Sequence, residues 1–375
     1  MVKIDSSVVA LAEDQIANRT VPNALPAKYL GTAADRHDML ILGKTQQLKR
    51  NFDLISMLGF SSTAVISWEI IPVFLVWNLI DGGTPIVFWG LIIGAIGMSF
   101  VYASLAEMAS QYHWVSEFAP PSFQKGLSYC VGWLTAIAWQ VYLAGTCFIV
   151  GSLVQGLIAL NNPNYVYHRW HGTLLTIAVV VLSATYNVVL AKRLPILGQL
   201  LLVLQVVGLF GTVIPLWVTA PKGQASQVLF EVENNGGWDN KGLSAMIGLA
   251  PIVGVLNGYD CIAHMCKYNA LLCMGRTNLF SIAEEINDAS KVLPIAMISS
   301  VSLNIVLLLT MGITLIFCLG DLDNVVNTST GQPFIQIYYN ATQSHSGTSV
   351  MVAISIILIV FCGVNEVATS SRQIW

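Results

Sequence analysis

Two carboxylates interrupt segments of the sequence that are otherwise apolar enough to cross a membrane. Glu69 follows a run of small and hydroxyl-bearing residues and precedes Pro72, and Asp260 follows Pro251 and Gly254 in a later segment. A carboxylate inside a bilayer is costly, and it normally faces the interior of a helix bundle, where it can pair with a cation or carry a proton. We therefore take Glu69 and Asp260 as candidates for binding a cationic substrate group or a coupling proton.

The helix breakers in these two segments predict interrupted helices. An interrupted helix is tolerated in a membrane only where it lines a cavity, and its freed amides and carbonyls can then bind substrate and ions. The two segments are the first and sixth predicted spans, which is the spacing of a five-helix inverted repeat. Glycine and proline also occur in helices that only kink or pack closely. Two interrupted spans, each with an acid, nevertheless favour a transporter.

The composition requires an integral membrane protein. The chain has 375 residues, of which 55% are hydrophobic and 10% charged, with a mean hydropathy of +0.68, whereas soluble domains carry roughly 25% charged residues. The first fifty residues hold 12 of the 37 charged residues, so the remainder has too few to cover a water-exposed surface. The net charge of −3 excludes a basic surface for nucleic acid.

The sequence contains no pattern that predicts catalysis. The seven cysteines show no metal-ligand spacing, and no nucleophile–base pair occurs within the apolar segments. We therefore expect no catalytic residue, no metal ligand and no cofactor.

Eight apolar segments are long enough to cross the bilayer, which takes roughly 20 residues. Because backbone groups in lipid must be satisfied within their own segment, these spans are predicted to be helices. The predicted spans are 52–77, 86–109, 129–157, 174–190, 196–218, 243–265, 295–319 and 350–370.

The basic residues predict the orientation. With a cytosolic N-terminus, 14 of the 17 lysines and arginines fall on the cytosolic side, in agreement with the positive-inside rule. Asn327 and Asn340 each begin a glycosylation sequon, and both lie on one loop that this topology places outside. Residues 1–50 are polar and of mixed charge, which predicts a largely disordered cytosolic tail before a membrane domain at 51–375.

The predicted substrate site lies between the first and sixth spans near the middle of the bilayer. Freed amides of the first span would hold a carboxylate if the substrate has one, and an acid or an aromatic face would hold its amine. The candidate substrate-binding residues are Ser62, Thr63, Ala64, Val65, Ser67, Trp68, Glu69, Trp139, Asn257, Gly258, Tyr259 and Asp260.

Several of these acids and aromatic residues also have simpler interpretations. Glu69 could equally lie in water at the outer interface, and a tryptophan such as Trp139 more often packs than binds a ligand. Glu107 and Glu366 lie nearer the predicted cytosolic ends of their spans, so we expect them to be solvated or to cap helices.

The sequence resembles a known family, and the motifs that carry the resemblance are spread over nearly all of the chain after residue 50. The motifs are 63–69 (TAVISWE), 104–110 (SLAEMAS), 111–120 (QYHWVSEFAP), 127–135 (LSYCVGWLT), 258–260 (GYD), 264–265 (HM), 284–290 (EEINDAS) and 371–373 (SRQ). They resemble those of the fungal amino-acid/choline/GABA permeases of the amino acid–polyamine–organocation superfamily. The resemblance implies a LeuT-type fold of twelve helices in two inverted repeats. It also implies proton-driven uptake across the plasma membrane or an organelle membrane.

The sequence departs from this family in three places. The family continues past Arg372 into four more helices, so we expect about eight of twelve helices, an incomplete second repeat and no transport by the chain as it stands. A short Pro/Gly–Gly stretch is missing between Ser110 and Gln111. Residues 266–283 interrupt a motif and can be encoded with splice donor, branch-point and acceptor signals, so we interpret them as a possible translated intron.

The leading hypothesis is secondary active uptake of a small zwitterion or cation such as an amino acid, GABA or choline. The expected partners are this substrate and the lipid bilayer, the expected coupling ion is a proton, and the expected location is the plasma membrane. The alternative is a membrane protein that does not transport, either a receptor-like sensor or an inert truncated product. Neither the substrate nor the oligomeric state follows from the sequence.

Overall fold

A computed structural model describes residues 52–107, 118–190, 193–259 and 288–374, together with the single residues 32, 115, 261 and 286. The predicted tail, apart from residue 32, lies outside the described residues. The same is true of the shortened turn after Ser110, of Asp260 and of the 266–283 segment.

The described elements are almost entirely helical. In chain order they are α1 (Leu54–Ala64), α2 (Ile71–Ile80), β1 (Asp81–Gly82), α3 (Thr84–Glu107), α4 (Gln124–Asn161), α5 (Arg169–Leu190), α6 (Leu194–Thr219), α7 (Ala225–Phe230), β2 (Glu233–Asn234), α8 (Lys241–Val255), α9 (Ala289–Phe317), α10 (Leu322–Val326), α11 (Pro333–Thr342) and α12 (His345–Ile374).

Six of these helices are long and apolar enough to cross a bilayer, namely α3, α4, α5, α6, α9 and α12. They coincide with the second, third, fourth, fifth, seventh and eighth predicted spans. The expectation of an all-α membrane protein is therefore confirmed. The predicted boundaries are less accurate, because α4 has 38 residues and extends beyond 129–157 at both ends.

The first predicted span is broken into α1 and α2, as the sequence predicts. Asp53 caps α1, since its carboxylate accepts a hydrogen bond from the Ser56 amide at 2.8 Å. Pro72 lies in the first turn of α2, where the missing N–H of proline costs nothing. Residues 65–70 between the two helices are not helical.

The sixth predicted span is also interrupted. The Asn240 side chain caps α8 by accepting a hydrogen bond from the Leu243 amide at 2.8 Å. The helix ends at Val255, and residues 256–259 continue without regular helix. Beyond them only Cys261 of the predicted span 243–265 is described.

A short antiparallel strand pair joins the end of α2 to the segment before α8. Asp81 pairs with Asn234, and Gly82 pairs with Glu233. The Asn78 side chain of α2 also donates a hydrogen bond to the Gly248 carbonyl of α8 at 2.6 Å. The strand pair and this bond attach α2 to α8.

Helix α1 packs at the centre of the described bundle, against α6, α9 and α12. At its crossing with α6, a Cβ atom on Gly59 would lie only 2.4 Å from the Gly198 carbonyl oxygen. Two glycines are therefore needed for this approach, as at other close crossings of membrane helices. Outward-facing apolar side chains such as Phe100, Val188 and Val218 are 73%, 84% and 77% exposed, which suits a surface covered by lipid.

Candidate functional site

The break in the first span forms a buried turn at the centre of the bundle. All of residues 65–70 are buried. The Ser67 carbonyl accepts hydrogen bonds from the Ile70 and Ile71 amides, both at 3.3 Å, and these bonds start α2. The turn therefore places polar backbone groups in the interior of an apolar protein.

Glu69 lies within this turn and is only 2% exposed. Its Oε2 accepts a hydrogen bond from the Ser67 amide at 3.0 Å, and the carboxylate also faces its own amide and the Gln205 side chain. The interpretation of Glu69 as a solvated interface residue is therefore wrong. The Ser67 amide, which we expected to be available to a substrate carboxylate, is therefore already hydrogen-bonded to Glu69.

Four polar side chains connect the break to α6 and α9. Asn304 Oδ1 of α9 accepts hydrogen bonds from Ser67 Oγ at 2.6 Å and from Gln205 Nε2 of α6 at 2.9 Å. Asn304 Nδ2 donates to Ser62 Oγ at 2.9 Å, and Ser62 Oγ donates to Gln205 Oε1 at 2.9 Å. Each of the four is at most 1% exposed. We call Ser62, Ser67, Gln205 and Asn304 the amide network.

Trp68 faces α6. The side chain is fully buried, its Nε1 donates a hydrogen bond to the Gln205 carbonyl at 3.1 Å, and its ring lies beside Gly208. It does not line the cavity described below. In this conformation its ring face is covered by protein.

The second break meets the first. Gly258 has a φ of +105°, which strongly favours glycine. A Cβ atom there would lie 3.3 Å from Val65 Cγ2 of the first break. The Leu256 carbonyl accepts a hydrogen bond from the Tyr102 hydroxyl of α3 at 3.3 Å. The adjacent Tyr259 is fully buried, with its ring 5.0 Å from that of Tyr102.

A cavity of about 510 Å³ opens beside this second break, between α3 and α4. Its walls are mainly apolar and aromatic, and none of its lining side chains is charged. The polar and aromatic groups that line it are Tyr102, Thr135, Trp139, Tyr142, Asn257 and Gly258. The volume is in the range of small-molecule sites in proteins, which is about 300–1,000 Å³.

Comparison with known proteins then decides the family. The family model described as amino acid permease matches residues 52–375, which is most of the chain. The chain belongs to the amino acid permease family. The match thus identifies a family of membrane transporters rather than of enzymes.

Individual relatives agree with this assignment. The permease is 30% identical to a putative amino acid/polyamine transporter of Macrophomina phaseolina, over 85% of this chain and 68% of the relative. It is 28% identical to a choline transporter of Saccharomyces cerevisiae, over 80% of this chain and 52% of the relative. It is 26% identical to an uncharacterized amino-acid permease of Schizosaccharomyces pombe, over 90% of this chain and 61% of the relative. The chain thus spans between about half and two thirds of the length of these relatives.

In the structure of the permease, the predicted site residues fall into two groups. Trp139, Asn257 and Gly258 line the cavity, and Val65 and Tyr259 pack beside it. The other described candidates do not line the cavity and are bonded within α1 or to α6, α9 or α12; they are Ser62, Thr63, Ala64, Ser67, Trp68 and Glu69. Asp260 lies outside the described residues.

Thr63 and Ala64 are both held by α12. Thr63 Oγ1 donates to the Gly59 carbonyl at 2.7 Å and accepts from Asn365 Nδ2 at 2.9 Å. The Ala64 carbonyl accepts a hydrogen bond from the Cys362 thiol at 3.2 Å. The C-terminal end of α1 is therefore bonded to α12 at two successive residues.

Sequence reasoning missed several polar residues of the interior. Gln205 and Asn304 complete the amide network, and a lone amide side chain in an apolar helix was the available signal. Sequence reasoning also missed Glu366. We expected this side chain to be solvated or to cap a helix, and that expectation is wrong, because Glu366 is 0% exposed. Its Oε1 accepts hydrogen bonds from Thr146 Oγ1 at 2.8 Å and Cys362 Sγ at 3.2 Å. The side chain of Glu107 lies outside the described residues.

Proposed function

We propose that this permease takes up an amino acid or a related amine such as GABA or choline by secondary active transport driven by protons. Family membership supports transport of amino acids or amines in general. The names of two relatives, a putative amino acid/polyamine transporter and a choline transporter, agree with a substrate that carries a positive nitrogen. We further propose that uptake takes place at the plasma membrane. We also propose a cytosolic N-terminus, because 14 of the 17 lysines and arginines then lie on the cytosolic side.

The observation that carries the proposal is the contact between two interrupted spans beside an aromatic cavity. Gly258 of one break lies against Val65 of the other, and the cavity next to them is lined by Trp139 and by two tyrosines, Tyr102 and Tyr142. Interrupted helices near the midplane form the binding sites of many secondary transporters. Aromatic rings attract an ammonium group through cation–π interaction.

In the proposed binding mode the ammonium group of the substrate lies against Trp139, beside Asn257 and Gly258. A cation–π contact contributes about 0.5–2 kcal/mol, so removal of the ring weakens binding by roughly 2- to 30-fold. Trp139 Nε1 is not needed for this attraction, and phenylalanine at this position should retain part of the affinity.

The experiment is an uptake assay in yeast cells that lack their own permeases, with radiolabelled choline, GABA, arginine and glycine. The chain is expressed as it stands and, in parallel, in a version without residues 266–283 that continues to the twelve helices that the family resemblance implies. We expect Trp139→Ala to raise KM about tenfold with kcat little changed. Trp133→Ala is the matched control, because Trp133 lies on the same helix and is 55% exposed.

Three results would contradict the proposal. The first is that neither version takes up any of the four compounds. The second is that Trp139→Ala and Trp133→Ala have the same KM. The third is saturable binding without uptake, which would support the receptor-like alternative.

A further inference from the structure

Glu366 is a carboxylate with one unsatisfied oxygen in the middle of the protein. Both hydrogen bonds from Thr146 and Cys362 reach Oε1, whereas Oε2 is buried and has no hydrogen-bond partner among the described residues. A buried ionised carboxylate needs a cation or a full set of donors. Glu366 therefore needs a ligand, and either a cation or a proton would serve.

The depth of Glu366 follows from its helix. α12 continues to Ile374, eight residues past Glu366, which is about 12 Å of helix. At the level of Glu366, α12 contacts Ala64, where α1 ends and the first break begins. The carboxylate is thus level with the break.

Among the side chains that the structure describes, no positively charged group lies beside Glu366. Among the described residues, α1 and α6 contribute no titratable group. Tyr339 of α11 contacts His345 at the start of α12, 21 residues before Glu366. The groups that interact with Glu366 are Tyr142 and Cys147 of α4 and Cys362 of α12 itself. One residue further away, Tyr259 and Cys261 interact with Tyr142, Glu69 interacts with Cys362, and Tyr186 of α5 packs against Phe361. All of them are acidic or neutral.

The geometry favours a proton over a substrate cation as the ligand. Glu366 is 0% exposed and does not line the cavity. Tyr142 does line the cavity and is close enough to Glu366 to interact with it electrostatically. An ammonium group would need space beside Oε2, whereas a proton needs only a lone pair.

Cys362 connects this carboxylate to the break. Its sulfur is 3.2 Å from Glu366 Oε1 and 3.2 Å from the Ala64 carbonyl oxygen. The thiol has a single hydrogen, so it can donate fully to only one of them. An ionised carboxylate is the stronger acceptor. Protonation of Glu366 therefore releases the thiol to the Ala64 carbonyl at the end of α1.

We propose that Glu366 is the proton-binding group of this permease, with Cys362 transmitting its protonation state to the first break. In each cycle the carboxylate takes a proton from water on the side where substrate enters and releases it to water on the opposite side. The O–H bond that forms at the carboxylate on protonation breaks again when the proton is released, and the net movement is one proton with each substrate. This inference rests on the proposed function, since it needs a transporter driven by protons.

The experiment uses proteoliposomes containing whichever version of the permease transports, with radiolabelled choline and GABA as parallel probes. Accumulation is measured under an inward gradient of two pH units, which can support at most about 100-fold accumulation per coupled proton. Exchange of labelled for unlabelled probe is measured without a gradient. The variants are Glu366→Gln, Glu366→Asp and the control Asp321→Asn, which removes an exposed carboxylate from the α9–α10 connection.

We expect Glu366→Gln to lower the accumulation ratio to about 1 while exchange stays within about threefold of wild type. Glu366→Asp should retain part of the accumulation, and Asp321→Asn should behave as wild type. Accumulation by Glu366→Gln equal to wild type would overturn the proposal. So would loss of exchange together with accumulation in folded protein, because that pattern identifies a substrate counter-ion.

A second variant covers the case in which Glu366→Gln does not fold. Thr146→Val removes one donor that stabilises the ionised carboxylate, so the pH of half-maximal uptake should move upward. An unchanged pH profile would overturn the proposal. Absence of both uptake and exchange in the wild type would refute the proposed function itself, and it is distinguishable because exchange needs no proton gradient.

Discussion

Asn304→Ala tests whether the amide network holds the broken first span in place. Asn304 is 0% exposed and makes three interhelical hydrogen bonds, with Ser62, Ser67 and Gln205. Its fourth hydrogen bond goes to the Ser300 carbonyl of its own helix. Alanine removes all four and leaves Gln205 and Ser67 without their shared acceptor.

The expected loss of stability follows from these contacts. Interhelical hydrogen bonds between side chains in membranes contribute about 0.6 kcal/mol each on average, so three of them contribute about 2 kcal/mol. This corresponds to a change of roughly 30-fold in the ratio of folded to unfolded protein. Ser62 of α1 and Ser67 of the break lose their bonds to α9, so we also expect increased proteolysis within residues 65–70.

The assay is equilibrium unfolding in mixed micelles, followed by circular dichroism as the fraction of denaturing detergent is raised. Ser302→Ala is the matched control, because Ser302 lies on the same helix, is exposed, and donates only to the Ile298 carbonyl within that helix. The control should change stability by less than about 0.5 kcal/mol. An equal free energy of unfolding for Asn304→Ala and Ser302→Ala would refute the structural role of the network.

Two further predictions concern packing and topology. In size-exclusion chromatography in detergent, Gly59→Ala should give no monodisperse folded protein, because the new Cβ would lie 2.4 Å from the Gly198 carbonyl oxygen. Gly97→Ala is the control and should elute as wild type, because no heavy atom lies within 4 Å of its added Cβ. Asn327 should be glycosylated in preference to Asn340, because Asn327 is exposed whereas Asn340 is half-buried and donates a hydrogen bond to Asn324. If the Asn327→Gln variant still shows a glycosidase-sensitive shift in electrophoretic mobility, this prediction is wrong.

Sequence reasoning predicted the interrupted helices because their cause is local. Pro72 has no backbone N–H, and Gly258 adopts a positive φ, so both breaks are encoded by the residues where they occur. Helix length and hydropathy are local as well, and six of the eight predicted spans coincide with continuous helices.

The environment of each acid could not be predicted in the same way, because it depends on which helices pack around it. Glu366 was predicted to lie near a helix end because the predicted span stopped at residue 370, whereas α12 continues to Ile374. Its burial comes from Thr146 of α4, which is 220 residues away in sequence. Glu69 is buried for a similar reason, since Gln205 of α6 lies beside it.

The two halves of the first span are attached to different parts of the protein. α1 and the break are bonded to α6, α9 and α12, through the amide network and through Thr63 and Ala64. α2 is bonded to α8 by Asn78 and by the adjoining strand pair. A movement of α2 relative to α1 therefore requires backbone rotation within residues 65–70. The Cys362 thiol bonds to the Ala64 carbonyl, directly before residue 65, where such a rotation begins. Cys362 is therefore in a position to transmit the protonation state of Glu366 to the break, as we propose.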